Sequence, residues 1–60
     1  MKVYRYVTVY LEDACVRAIE WAEKLGRPFF VEENWDHGVC EYIATSERPD
    51  KPLFSTEEEK

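Results

Sequence analysis

The stretch VYRYVTVYLEDACVRAIEWAEKLGRPFF, residues 3–30, decides the fold, because its hydrophobic pattern changes from that of a strand to that of a helix. Residues 3–11 alternate between two faces and are rich in β-branched and aromatic side chains, which predicts a first strand. We expect its aliphatic face to point towards the core. That face carries Val3, Val7, Val9 and Leu11, broken by Arg5, and the opposite face carries Tyr4, Tyr6, Thr8 and Tyr10.

A helix follows this strand and has signals at both ends. Asp13 is the predicted N-cap, since its carboxylate can accept the free N–H groups of the first turn. Gly26, followed by Pro28, is the predicted C-terminal stop. The apolar stripe at helical spacing consists of Ala14, Cys15, Ala18, Ile19, Ala22 and Leu25.

Two further strands are predicted, over residues 29–33 and 39–46, joined by turn-forming residues 34–38 into a hairpin. The third strand has two candidate inward faces. We favour Cys40, Tyr42 and Ala44, because the other choice buries Glu41. The other face remains open as an alternative, since Val39 and Ile43 are the more hydrophobic pair.

These elements define an α+β fold with the order β-α-β-β: a three-stranded sheet with one helix packed on one face. The strand order 1-3-2 is favoured, and 1-2-3 is the alternative. Residues 1–46 form the single predicted domain, and residues 47–60 a charged, proline-containing, irregular tail. Leu53 and Phe54 are the only apolar pair of the tail and could dock on the body. Residues 55–60 are expected to be dispensable for folding.

Charge and composition restrict the class of partner. The chain of 60 residues permits one domain and has a net charge of −5, from 13 acidic and 8 basic side chains. Direct binding to nucleic acid or to an anionic membrane is therefore not expected, whereas mimicry of nucleic acid remains open. The N-terminus lacks the pattern of a secretory signal, and the two cysteines are therefore expected to stay reduced in the cytoplasm.

Catalytic and cofactor motifs are not found. With two glycines the chain has no phosphate-binding loop, and no nucleophile motif occurs, so neither an enzyme nor a cofactor is predicted. Asp36 and His37 lie near Cys40, but zinc sites need three or four ligands at closer paired spacing. No metal site is therefore predicted.

The predicted binding surface is the sheet face that one helix leaves uncovered. Its residues are Tyr4, Tyr6, Tyr10, Phe30, Glu32 and Glu41, together with Trp35 at the predicted hairpin tip. Tyrosine and tryptophan are enriched where proteins bind one another. For Trp35 the more ordinary expectation is that it folds back as a lid over the core.

Size, acidity and surplus aromatic residues favour a small protein-binding module, a regulator or inhibitor of a larger protein such as viruses and mobile elements encode. A self-associating homodimer that buries the Tyr-rich face is the first alternative. A thiol- or metal-linked protein that uses Cys15, Cys40 and His37 is the second.

Overall fold

The computed structural model describes residues 2–57 and contains one helix and one four-stranded sheet among them. The elements are β1 (Arg5–Thr8), α1 (Leu11–Leu25), β2 (Phe30–Asp36), β3 (Val39–Thr45) and β4 (Phe54–Ser55). The strand order is β1-β3-β2-β4, and each neighbouring pair is antiparallel. The predicted β-α-β-β arrangement with order 1-3-2 is confirmed, and the short β4 extends the sheet beyond β2.

Strands β1 and β2 run parallel to each other, because both are antiparallel to β3 between them. Thr45 is paired with Arg5 on one side and with Phe30 on the other. Helix α1 connects the two parallel strands and packs against one face of the sheet. The C-terminal ends of β1 and β2 and the N-terminal end of α1 consequently lie at the same end of the molecule.

Helix α1 ends as predicted but begins earlier. Gly26 has a φ of 66°, and its N–H donates a hydrogen bond of 2.9 Å to the carbonyl of Ala22. The prediction of Asp13 as N-cap is wrong, since the helix begins at Leu11 and Tyr10 is the N-cap residue, without a side-chain capping bond. Asp13 lies in the first turn, where its charge suits the positive end of the helix.

The β2–β3 hairpin has a shorter turn than residues 34–38. His37 and Gly38 have φ values of 50° and 79°, and two consecutive positive φ values are what a two-residue type I′ turn requires. Strand pairing therefore continues to Asp36 opposite Val39. Trp35 lies within β2 opposite Cys40, not at the tip of a loop, and it remains 65% exposed. It does not form a lid over the core.

The core lies between α1 and the sheet, and it shows which face of each strand is inward. Its fully buried residues are Ala14, Ala18, Phe29, Val31 and Ala44. The preferred inward face of β3 is confirmed by Ala44, with Tyr42 packed against the core. The predicted inward face of the first strand is wrong. Tyr4 and Tyr6 pack against the core, whereas Val3, Val7, Val9 and Leu11 are between 42% and 52% exposed.

The tail crosses the sheet and forms its fourth strand. The chain between β3 and β4 passes over β2 on the face away from α1, where the Arg48 guanidinium lies 4.7 Å from the centre of the Phe30 ring. Phe30 is consequently 3% exposed. In β4, Phe54 packs against the core while Leu53 stays half exposed. Part of the predicted irregular tail is thus an ordered part of the domain.

Candidate functional site

The structure divides the predicted binding surface between the two faces of the sheet. Tyr6 is opposite Ala44 in the register and lies on the face covered by the helix, together with Tyr4. Phe30 and Glu32 lie on the other face, where Phe30 is covered by the tail. The seven residues therefore do not form one continuous surface. The sequence did not predict that Arg48 covers Phe30, because the proline-containing residues after β3 give no sign of which strand they cross.

Tyr4 and Tyr6 belong to an aromatic cluster centred on Trp21. The Trp21 ring centre lies 5.5 Å from that of Tyr4, 6.5 Å from that of Tyr6 and 5.4 Å from that of Phe29. The Arg17 guanidinium lies 5.7 Å from the Trp21 ring centre and 4.7 Å from that of Tyr6. Aromatic rings at these separations attract one another beyond the area they bury. The cluster closes one side of the helix–sheet interface and has a structural role.

A hydrogen bond between Tyr6 and Asp13 joins β1 to the first turn of α1. The Tyr6 hydroxyl donates to Asp13 Oδ2 at 2.6 Å. This bond lowers the pKa of Asp13, with a smaller contribution in the same direction from the Thr8 hydroxyl. It also raises the pKa of Tyr6, because a phenolate could not donate to the carboxylate. Tyr6 thus holds β1 to the first turn of the helix, whereas the sequence predicted that it would lie on the outer face of the sheet.

This pair predicts a dependence of stability on pH at both extremes. The lowered pKa of Asp13 gives stabilisation that is complete above about pH 4 and is lost as pH falls through the folded-state pKa. The raised pKa of Tyr6 gives stabilisation that is complete below about pH 10 and is lost as pH rises through the folded-state pKa. Tyr6→Phe should remove the dependence at high pH and weaken the one at low pH, where the Thr8 hydroxyl still lowers the pKa of Asp13; both are measured as urea midpoints over a pH series.

Tyr10→Phe is the matched control, since it removes a phenol that is 69% exposed. Its urea midpoints should follow those of the unmodified protein at every pH. If Tyr6→Phe kept the full pH dependence as well, the hydrogen bond to Asp13 would contribute nothing to stability.

Two predicted site residues remain accessible, and they lie at one end of the sheet. Tyr10 is 69% exposed just after β1, and Trp35 is 65% exposed near the end of β2. Leu11, the first residue of the helix, is 42% exposed at the same end. We call Tyr10, Leu11 and Trp35 the hairpin-end surface. Leu11 was missed because the alternating pattern placed it on the core face of the first strand.

The hairpin-end surface lies in an acidic part of the molecule. Residues 9–13 and 33–41, which make up this end, include no lysine or arginine. Their carboxylates belong to Glu12, Asp13, Glu33, Asp36 and Glu41. Lys2, Lys24 and Arg27 belong to segments at the opposite end. Arg17 lies close enough to Asp13 to help lower its pKa. Arg48 and Lys51 line a groove together with Glu32 and Glu33. The segments of the hairpin end thus carry more negative than positive charge, and the exposed rings of Tyr10 and Trp35 belong to these segments.

The two thiols and the histidine are not brought together as one reactive group. Both cysteines are free, and burial raises the pKa of Cys15, which makes its thiol less reactive. The Cys40 thiol donates to Glu33 Oε2 at 3.6 Å. His37 lies on the exposed turn, 3.5 Å from Asp36. Within residues 2–57, no group of three or more His, Cys, Asp or Glu side chains has the arrangement of a metal site.

Comparison with protein-family models, with curated proteins and with solved structures finds no match to this chain. Across the part of the chain that the structure describes, α1 falls short of the length and hydrophobicity that crossing a membrane requires.

Proposed function

We propose that this protein is a binding module that regulates or inhibits a larger protein by occupying its surface through the hairpin-end surface. The observation that carries the proposal is the exposure of Trp35 and Tyr10, at 65% and 69%, at the same end of a small sheet. The free energy falls when a partner covers large aromatic rings that are exposed to water. Tryptophan and tyrosine are accordingly enriched in measured binding hot spots.

Charge around this surface indicates the character of the partner. Glu12 and Asp36 are exposed in the same segments as the aromatic residues, and these segments contain no lysine or arginine. A partner surface that combines apolar pockets with lysine or arginine would complement this end, whereas nucleic acid would be repelled. Electrostatic attraction of this kind raises the rate of association and makes it sensitive to salt.

Self-association through the Tyr-rich face is the less favoured hypothesis, because Tyr4 and Tyr6 already pack against the core beneath the helix. A pair of copies that met through the hairpin-end surface would bring like charges together. The thiol-linked alternative would have to use Cys15, whose pKa is raised by burial, or Cys40, which is hydrogen-bonded to Glu33. The binding of a different protein is the hypothesis that the accessible residues support best.

Affinity capture with variant baits tests the proposal. Extract from the source cells is passed over the unmodified protein, Trp35→Ala, and Leu53→Ala as the matched control, and captured proteins are quantified by mass spectrometry. Leu53 is likewise an exposed apolar residue, 51% exposed, but lies beside β4. A partner should be retained by the control and reduced by Trp35→Ala, which should cost about thirtyfold in affinity.

Circular dichroism should show that Trp35→Ala keeps the fold, since so exposed a side chain contributes little to it. If every captured protein depended equally on Leu53 and Trp35, or on neither of them, the hairpin-end surface would not be the binding site.

A further inference from the structure

Strand β2 is paired along its full length on one side only. On the side of β3, pairing covers every residue from Phe30 to Asp36. On the other side, β4 pairs with Phe30 and Val31 alone. Residues 32–36, which we call the β2 edge, continue for roughly 15 Å beyond β4 at the usual strand rise. Among the described residues, no other strand pairs with this edge.

The register shows which backbone groups point away from the sheet along the β2 edge. In a two-residue hairpin the pair that flanks the turn, here Asp36 and Val39, exchanges hydrogen bonds. Because such pairs alternate along the strand, the N–H and C=O groups of Glu33 and Trp35 point away from β3. The carbonyl of Val31 fits this alternation, since it accepts a bond of 2.8 Å from the Leu53 N–H on the β4 side.

We propose that the β2 edge receives an extended segment of the partner polypeptide as an additional strand, in line with β4. This inference rests on the proposed function and specifies how that surface binds. The incoming backbone would bond to the outward groups of Glu33 and Trp35, the mode of recognition by which peptides extend existing sheets. Trp35, one of the three residues of the hairpin-end surface, is itself a residue of this edge.

The side chains along the β2 edge determine which residues the incoming partner segment should carry. Glu32 and Asp36 lie on the face away from α1, whereas Glu33 and Trp35 lie on the helix side. The chain's own Arg48 and Lys51 border Glu32 and Glu33, and Asp36 lies outside that groove. A strand added at this edge would place its side chains alternately beside these two sets. The complementary segment therefore combines lysine or arginine, placed beside Asp36, with apolar residues that cover the Trp35 ring.

Charge also argues against a second copy of the chain as the occupant. Two β2 edges paired with each other would bring Glu32, Glu33 and Asp36 of one copy against the same carboxylates of the other. Charged side chains on an edge strand are a common device against such self-pairing. The charges of the β2 edge thus disfavour a second copy of the chain and favour a cationic strand.

A peptide in which valine alternates with lysine is the probe for this inference. Its binding to the full chain is measured by fluorescence anisotropy, next to a version with glutamate in place of lysine. A third version carries N-methyl groups on the amides that would bond to β2. The lysine peptide should bind. The N-methylated version should bind about fivefold more weakly, because a single lost hydrogen bond has this effect. The glutamate version should also bind at least about fivefold more weakly, because its carboxylates repel those of the β2 edge.

Substitution at Glu33 tests the protein side with a matched pair of variants. Glu33→Pro removes the outward N–H, and Glu33→Thr removes the same charge but keeps this donor. Proline is tolerated on an edge where the N–H does not join the sheet, so both variants should melt cooperatively. Peptide affinity should be at least about fivefold lower for the proline variant than for the threonine variant.

The outcomes separate this inference from the proposed function. Equal affinity of the two Glu33 variants, no loss on N-methylation, or no binding of the lysine peptide at millimolar concentration would each overturn strand addition. In those cases, partner capture that still depends on Trp35 would leave the proposed function standing. Sedimentation that showed self-association abolished by Glu33→Pro but not by Glu33→Thr would instead assign the β2 edge to a second copy, and would overturn the inference.

Discussion

Phe29→Ala is expected to leave the protein largely unfolded at room temperature. Phe29 is fully buried, and its ring centre lies 6.0 Å from that of Tyr4 and 5.4 Å from that of Trp21. Truncation of a buried phenylalanine typically costs about 3–5 kcal/mol. Small domains have total stabilities near the lower end of about 5–15 kcal/mol, so this one loss can remove most of the folding free energy.

Near-ultraviolet circular dichroism and the dispersion of amide resonances would measure the loss of structure. Phe29→Leu keeps much of the buried volume and should retain the fold with reduced stability. Val39→Ala, at a position that is 51% exposed in the neighbouring strand, is the control for the loss of an apolar side chain. A cooperative, near-normal melting curve for Phe29→Ala would contradict the central place of the aromatic cluster in the core.

Ending the chain at Leu53 should have the second largest effect, a loss of about 2–4 kcal/mol. This truncation removes Phe54, which packs against the core, and with it the strand paired to Val31. It also removes Thr56, whose N–H donates to the Phe29 carbonyl at 3.0 Å and whose hydroxyl accepts from the Phe29 N–H at 2.9 Å. The expectation that residues 55–60 are dispensable is therefore replaced by the opposite prediction.

The chain that ends at Glu57 is the reference for this truncation, because it keeps all of these contacts. Urea denaturation of both proteins gives the difference in free energy of unfolding. Equal stabilities would show that β4 lies against the sheet without contributing to folding.

The order of elements could be predicted from the sequence because each signal is local. Alternation identifies the first strand, the spacing of the alanines and Gly26 define the helix, and Gly38 marks the hairpin. Strand β4 could not be found in the same way, because Phe54–Ser55 is too short to show a period. The position of β4 depends on the backbone N–H and C=O groups that β2 leaves unpaired on its outer side. No sequence pattern within the tail indicates this pairing.

The inward face of β1 could not be predicted, because both faces of this strand are apolar. Valine is the more hydrophobic choice, but Ala14 and Ala18 leave space beside the helix that large rings fill. Trp21 supplies the partner for Tyr4 and Tyr6 in that space. Because the wrong face of β1 was expected to be inward, the predicted binding surface was wrong as well. Tyr10 and Trp35 are nevertheless accessible, at the hairpin end of the sheet.

Placement of β3 between β1 and β2 has a consequence for how the protein folds in the cell. Of the four strands, β1 leaves the ribosome first, but its sheet partner is β3, which is made after the helix and β2. The exit tunnel encloses the most recently added residues, so this pairing has to wait until β3 has left the tunnel. Contacts so distant in sequence also form slowly. Until then, the tyrosines of the first strand and the apolar side of the helix are exposed together, and it is during this interval that the nascent chain is most open to aggregation or to capture by a chaperone.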